Sequence, residues 1–270
     1  MKFDSNRGWL DTLANVAANR EVLFALAGVF LVLPSFAFAL FYPQPIVPSG
    51  IAPEQAARIM QAYYLQAMPA VLPVSLLQIL GMMAMIILMT DRARPTVGQA
   101  IRAGARNVLP FVGAQLLIGM ALGFVAIAVL VIATLSGSTF VVGIAYGMVL
   151  AMFAYIGVRT LLAAPVIAAE GLRNPVKALA RSWALTRTSA GRIAGFIILL
   201  ILAMTVVAIL IMGGVGLILA LLAGTSALRI IAALVSSVVV AVMMVYFGAA
   251  VVAIHRQLAG PAGSPAPAAQ

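Results

Sequence analysis

Long apolar runs separated by short polar segments dominate the hydrophobic pattern of this chain. The runs fall at residues 22–42, 67–90, 109–134, 140–168, 192–222 and 228–254. Each run can cross a hydrocarbon core, which takes about 20 helical residues. The runs also lack the alternating apolar and polar positions of a membrane β-barrel. The pattern therefore predicts an all-α integral membrane protein with six transmembrane helices.

A short amphipathic segment precedes the first, third and fifth runs. The apolar faces of these segments comprise Trp9, Leu13 and Val16; Val97, Ala100, Ile101, Gly104 and Val108; and Val176, Leu179, Ala180 and Trp183. The order of surface helix, span and span therefore occurs three times. This predicts three helical hairpins in a pseudo-threefold arrangement, with every interfacial helix on the cytoplasmic side. Residues 1–258 are predicted to form a single polytopic membrane domain, and the Pro, Gly and Ala-rich residues 259–270 a disordered tail.

Small and polar residues within the runs suggest how the helices pack. Glycines four residues apart predict close helix contacts. These pairs are Gly119 with Gly123, Gly143 with Gly147, and Gly191 with Gly195. Isolated amides and hydroxyls, such as Gln78 and Thr205, are expected to join neighbouring helices by hydrogen bonds and not to line a pathway.

Composition excludes a water-soluble globule. Of 270 residues, 64% are hydrophobic and 8% are charged, so there is too little polar surface to cover a soluble protein. The net charge of +10 is compatible with nucleic-acid binding. No compact basic domain or stacking platform accompanies it, and the sequence therefore predicts no nucleic-acid partner.

The distribution of positive charge predicts the orientation. Thirteen basic residues precede the odd-numbered runs or follow the last run: Lys2, Arg7, Arg20, Arg92, Arg94, Arg102, Arg106, Arg173, Lys177, Arg181, Arg187, Arg192 and Arg256. The intervening loops carry only Arg58 and Arg229. Because cytoplasmic loops are enriched in Lys and Arg, both termini are predicted to be cytoplasmic.

Candidate catalytic chemistry is sparse. The chain has no cysteine, one histidine and six carboxylates, none of which lies well inside an apolar run. A catalytic site requires a nucleophile with a base, paired carboxylates or clustered metal ligands. No such spacing occurs, so the sequence predicts no metal site, no cofactor and no enzymatic activity. His255, just after the last run, is expected to be an interface residue.

The segment Pro165–Arg187, "PVIAAEGLRNPVKALARSWALTR", concentrates the remaining charge. Arg159 precedes it and is the one charged residue well within an apolar run. A span ending near Leu162 would let Arg159 extend to the cytoplasmic surface, whereas a helix continuing to Ala169 would require an acceptor. The Pro165 in between favours the shorter span. Glu170 is three turns further along the same helical face, so Arg159 and Glu170 could bracket one pocket without contact.

The same segment resembles the membrane domain of glycerophosphoryl diester phosphodiesterases and of stand-alone six-span bacterial proteins. The resemblance rests on Pro165, Glu170, Pro175, Ala178, Leu179, Arg181, Ser182, Trp183, Leu185 and Thr186. It is specific over residues 159–187 and extends in general layout over residues 90–255. The phosphodiesterase barrel of the fused members has no counterpart, so the resemblance implies a membrane domain without its enzyme, and the family offers no established ligand-binding residues to transfer.

These observations define the functional expectation. The chain is expected to be a non-catalytic, multi-pass protein of the bacterial cytoplasmic (inner) membrane that engages anionic phospholipids or an envelope protein partner. The candidate headgroup or partner residues are Arg159, Glu170, Arg173, Lys177, Arg181, Ser182 and Trp183. A transporter for a small or lipid-related substrate and a lipid-modifying enzyme are the alternatives.

The predicted orientation can be measured directly because the chain contains no cysteine. Single cysteines are introduced at Ser136, between the third and fourth runs, and at Thr188, between the fourth and fifth. A membrane-impermeant maleimide should label Ser136→Cys in intact cells and should label Thr188→Cys only after the membrane is permeabilised. The reverse result would contradict the positive-inside assignment.

Overall fold

The computed structural model describes residues 3–45, 47–48, 50–90, 95–221 and 226–260. Every regular element in these ranges is helical. The elements are α1 (Ser5–Ala18), α2 (Arg20–Ala27), a π-helical turn (Gly28–Val32), α3 (Leu33–Phe41), α4 (Pro53–Thr90), α5 (Val97–Leu135), α6 (Thr139–Thr160), α7 (Ala163–Ala169), α8 (Pro175–Thr186), α9 (Ala190–Leu221) and α10 (Ser226–Ala259). Lys2, Arg92, Arg94 and nearly all of the expected tail, residues 261–270, lie outside the described residues.

Within the described residues, six helical segments are long and apolar enough to cross a membrane. They run from Arg20 to Phe41, Pro53 to Thr90, Val97 to Leu135, Thr139 to Ala169, Ala190 to Ile218 and Leu228 to Ala259. The all-α, six-helix prediction is confirmed.

The three amphipathic segments differ in the structure. The first and third form separate helices, α1 and α8, whereas residues 97–108 are the first turns of the continuous helix α5. The expectation of a short separate helix before the third span is therefore wrong. Pro110 lies inside α5 without ending it, although proline lacks an N–H for the helical hydrogen bond.

The buried side chains concentrate at one end of the bundle. One cluster joins α2, α4 and α10 through Leu23, Ile86 and Val245. A second joins α7, the start of α9 and the last turns of α10, and includes Ile167 and Ile193. We call this end, which holds α1, α7, α8 and the last turns of α10, the packed end.

The remaining parts of α5, α6 and α9 present apolar side chains outward. Phe124, Leu150 and Leu210 are 77%, 73% and 70% exposed, respectively. A soluble monomer rarely exposes contiguous apolar surface of this kind, whereas hydrocarbon chains cover it without cost. This surface is the one expected to face lipid.

Helices α4 and α5 approach most closely at Gly104. A Cβ added there would lie 3.1 Å from Ala84 N and 3.3 Å from Leu80 O, both backbone atoms of α4. By contrast, a Cβ at Gly119, Gly123, Gly143, Gly147, Gly191 or Gly195 would meet no atom within 4 Å beyond its own helix. The glycine pairs predicted to make close contacts therefore make none with the part of the chain that the structure describes.

The first residues of the chain attach α1 to the packed end. Phe3 is buried, its N–H donates to Ser189 Oγ over 3.1 Å, and its ring packs edge-on against Phe196. Arg256 of α10 donates to Asn15 Oδ1 of α1 and to the carbonyl of Met89 in the last turn of α4. Because the last carbonyls of a helix lack intrahelical partners, Arg256 both caps α4 and holds α1.

The contact at Gly104 generates a stability prediction. Gly104→Val forces its side chain against backbone atoms that cannot rotate away, at a cost of about 1–3 kcal/mol. Thermal unfolding in detergent should therefore have a lower midpoint for Gly104→Val than for the wild type. Gly119→Val is the matched control on the same helix and should leave the midpoint near the wild-type value. Equal effects of the two substitutions would contradict the close α4–α5 contact.

Candidate functional site

The fourth span contains a break between α6 and α7, and the hydroxyl of Ser182 bridges that break. Ser182 Oγ donates to the carbonyl of Arg159 over 2.9 Å and accepts from the N–H of Leu162 over 3.2 Å. These two groups are the orphaned carbonyl at the end of one helix and the amide next to the start of another. Ser182 is fully buried on α8. One side chain thus pairs a backbone acceptor and a backbone donor at the break; Thr186 Oγ1 also donates to the Arg159 carbonyl, over 3.4 Å.

The helix α8 is built so that Ser182 faces this break. Its N-terminus is defined by Asn174, whose side chain accepts from Lys177 N over 3.2 Å, and by Pro175 at the first helical position. Ala178, Ser182 and Thr186, spaced four residues apart, form the buried face. Small side chains on this face allow α8 to lie close against the chain beneath it.

Arg159 lies under Trp183 and does not extend to the surface. Its side chain is only 4% exposed, and its guanidinium carbon is 4.3 Å from the centroid of the Trp183 ring and 5.9 Å from that of Tyr155. A cation over an aromatic face is attracted by the ring quadrupole. Arg159 Nη1 also donates to Thr186 Oγ1 over 3.4 Å. Helix α6 ends at Thr160, close to the end near Leu162 that was expected for the shorter span. The expected extension of Arg159 to the surface is not observed.

No carboxylate in the described part of the chain forms an ion pair with Arg159. Its Nε is buried and has no hydrogen-bond partner among the described residues. A buried cation carries a desolvation penalty that aromatic contacts offset only in part. Among the described residues, the charge of Arg159 is therefore not balanced by a carboxylate.

Glu170 forms a separate cluster. Its Oε2 accepts from Arg181 Nε over 2.9 Å, and its Oε1 lies 3.0 Å from His255 Nε2. Gly171 follows with a φ of +68°, a conformation that favours glycine and that turns the chain from α7 toward α8. The carboxylate thus joins α8 to the last turns of α10.

The structure separates the predicted site residues into three groups. Arg159, Ser182 and Trp183 lie together at the α6–α7 break, whereas Glu170 and Arg181 form an ion pair elsewhere. The remaining candidates, Arg173 and Lys177, are exposed. Arg159 and Glu170 do not share a helical face, since the break after Thr160 separates α6 from α7.

His255 is a site residue that sequence reasoning placed at an interface. Its side chain is buried, at 4% exposure, and it bonds to Glu170 from 85 positions along the chain. A separation of that length has no local signature in the sequence. The only available signal was that the single histidine and an acid both lie at predicted cytoplasmic ends of apolar segments.

The packed end also carries exposed cations. Arg102, Arg106, Arg173, Lys177, Arg187 and Arg192 are exposed and, in the described residues, form no ion pair. Since Glu170 is already engaged by Arg181 and His255, it does not neutralise them. The arrangement can attract anions to a surface that also contains a half-exposed tryptophan.

Fold and site together define a multi-pass α-helical membrane protein with a cationic, tryptophan-bearing end. Compared with protein-family models, curated proteins and solved structures, the chain matches none.

The bridging role of Ser182 yields a stability prediction. Ser182→Ala leaves the buried Leu162 amide without a partner, at a cost of about 1–3 kcal/mol. The Arg159 carbonyl keeps only the longer bond of 3.4 Å from Thr186 Oγ1. The thermal midpoint in detergent should fall clearly. Ser236→Ala is the control, because that hydroxyl bonds only to the Ala233 carbonyl of its own helix. A Ser182→Ala midpoint equal to that of the control would show that the break does not depend on Ser182.

Proposed function

We propose that this chain is a non-catalytic, multi-pass protein of the bacterial cytoplasmic membrane that engages anionic phospholipid headgroups through its packed end. The observation that carries the proposal is the group of exposed cations around α8 that have no ion pair within the described residues. Lys and Arg side chains near an anionic membrane surface each contribute about 1 kcal/mol of attraction. The proposal places the packed end on the cytoplasmic side, as the positive charge distribution predicts.

The apolar side of α8 supports a position at headgroup depth. Val176 and Trp183 are 63% and 39% exposed, while the opposite face of the helix is buried against the protein. Tryptophan favours the membrane interface because its ring is apolar and its N–H is polar. Arg173 and Lys177 flank this apolar surface. The same helix can thus contact acyl chains and phosphate groups at once.

The unbalanced charge of Arg159 supports the same assignment. Its guanidinium lies over Trp183, the ring that this proposal places among the headgroups. A phosphate close to that ring would attract the Arg159 cation at short range without direct contact, since Arg159 itself is buried. Arg159 would then bias the surface toward anionic over zwitterionic lipid, beyond the general attraction of the exposed cations.

We further propose membership of the glycerophosphoryl diester phosphodiesterase membrane-domain family. The support is the pattern around Arg181, Ser182 and Trp183, which coincides with the α6–α7 break and its bridge. In this proposal the motif supplies the serine that pairs with backbone groups at the α6–α7 break, beneath the surface helix α8. That role is structural and requires no catalytic domain.

The proposal is tested by reversing charge on α8 and measuring the retained lipid. Arg173→Glu, just before α8, combined with Lys177→Glu removes two cations and adds two anions. Loss of the two cations alone is worth about 2 kcal/mol or roughly 30-fold in affinity, and repulsion by the two carboxylates adds to it. After extraction in native lipid patches, mass spectrometry should show a lower ratio of phosphatidylglycerol to phosphatidylethanolamine for this variant. The matched control is Arg58→Glu combined with Arg229→Glu, since both arginines are exposed and lie near the starts of α4 and α10, at the ends predicted to face the other side.

An unchanged lipid ratio in the α8 variant, or an equal fall in the control, would contradict headgroup binding at this surface. Loss of a stoichiometric protein from the α8 variant, with unchanged lipid, would instead identify the surface as a docking site for an envelope partner.

A further inference from the structure

We propose that a cavity in the middle of the bundle binds one uncharged, hydroxyl-bearing lipid of the diacylglycerol class. The cavity has a volume of about 300 Å³ and lies between the first span, α4, α5 and α10. Its lining residues are Leu31, Ser35, Ser75, Gln78, Ile79, Met82, Phe111, Val240 and Met244. None of these residues belongs to the cationic surface, so lipid binding in the cavity holds or fails separately from the proposed function.

The cavity lies at membrane depth. Gln78 is twelve residues from Thr90, the last residue of α4, which corresponds to about 18 Å along a helix. That distance exceeds half of a hydrocarbon core of about 30 Å. Val240 and Met244 on its wall are 48% and 46% exposed. The cavity is therefore accessible sideways from the bilayer, and its natural source of ligand is lipid.

Three polar side chains meet in this otherwise apolar space. Gln78 Nε2 donates to Ser35 Oγ over 2.9 Å, which joins α4 to α3. Within the described residues, Gln78 Oε1 and the Ser75 hydroxyl have no hydrogen-bond partner. Neither atom is fully buried, so a ligand can reach both. Unused donors and acceptors are costly in hydrocarbon. A ligand hydroxyl can accept from Ser75 and donate to Gln78, thereby satisfying both.

The helices that form this wall are irregular where they border the cavity. Leu31 belongs to the π-helical turn, and Pro34 follows directly in α3. Pro73 lies two residues before Ser75 in α4. π-Helical turns occur frequently at functional sites, and proline removes one backbone hydrogen bond from a helix. Both irregularities, on two facing helices, border the same cavity.

The lining selects against charge. None of the nine lining residues is ionisable, and burial of an unpaired phosphate at this depth would cost several kcal/mol or more. A diacylglycerol carries one free hydroxyl and no phosphate, so its polar group can descend to the level of Gln78. Its acyl chains match the apolar wall formed by Ile79, Phe111 and Met244.

Photolabelling tests this assignment. The wild-type protein in nanodiscs is exposed to a diacylglycerol with a diazirine in one acyl chain, and separately to a phosphatidylglycerol with the same labelled chain. Crosslinks to peptides containing Met82, Phe111 and Met244 should be several-fold stronger with the diacylglycerol probe. Ser75→Leu and Gln78→Leu should each reduce this labelling. Thr205→Leu, an equivalent change on α9 away from the cavity, should not.

Equal labelling by the two probes would overturn the proposal, as would labelling spread evenly over the outward faces of α6 and α9. Unchanged labelling in both Ser75→Leu and Gln78→Leu would also overturn it. Both variants replace a polar side chain by an apolar one within a membrane segment, so their folding can be checked by size-exclusion profile beside the control. Charge reversal by Arg173→Glu and Lys177→Glu should leave labelling by the diacylglycerol probe unchanged.

Discussion

The need to pair backbone groups where a helix is interrupted in an apolar setting governs this structure. The chain leaves α6 at Thr160 and re-enters helix at Ala163, which frees a carbonyl and an amide on the buried residues Arg159 and Leu162. Ser182 pairs with both. This bond pair holds α8 across the break, brings Trp183 over Arg159, and leaves the cationic side of α8 directed away from the protein.

The charged residues at the packed end divide into two roles. Glu170, Arg181 and His255 hold elements together, and Arg256 connects α10 to α1 and α4. Arg173 and its exposed neighbours make no such contact in the described residues and remain available for anions. The basic residues that predict the orientation therefore include some that hold helices together and some that remain exposed at the surface. The sequence does not distinguish the two kinds.

Particular residues show how far pattern reasoning reached. Asn174 and Pro175 begin α8 through local chemistry alone, because caps depend only on neighbouring backbone groups. Glycine spacing failed: Gly119 and Gly123 contact no neighbouring helix, whereas Gly104 contacts the backbone of α4. The spacing of glycines along one helix does not specify which face meets another helix. The surface of the neighbouring helix also determines which face is packed.

The sequence by itself determined the all-α class, the six spanning helices and the charge asymmetry between loops, since hydropathy and charge act on each segment independently of its neighbours. Only the tertiary structure decided that Arg159 lies beneath Trp183, that His255 bonds to Glu170, and that Ser35, Ser75 and Gln78 share a cavity. These relations join residues tens of positions apart. They arise from how the helices pack, and packing is a property of pairs of surfaces that no single segment encodes.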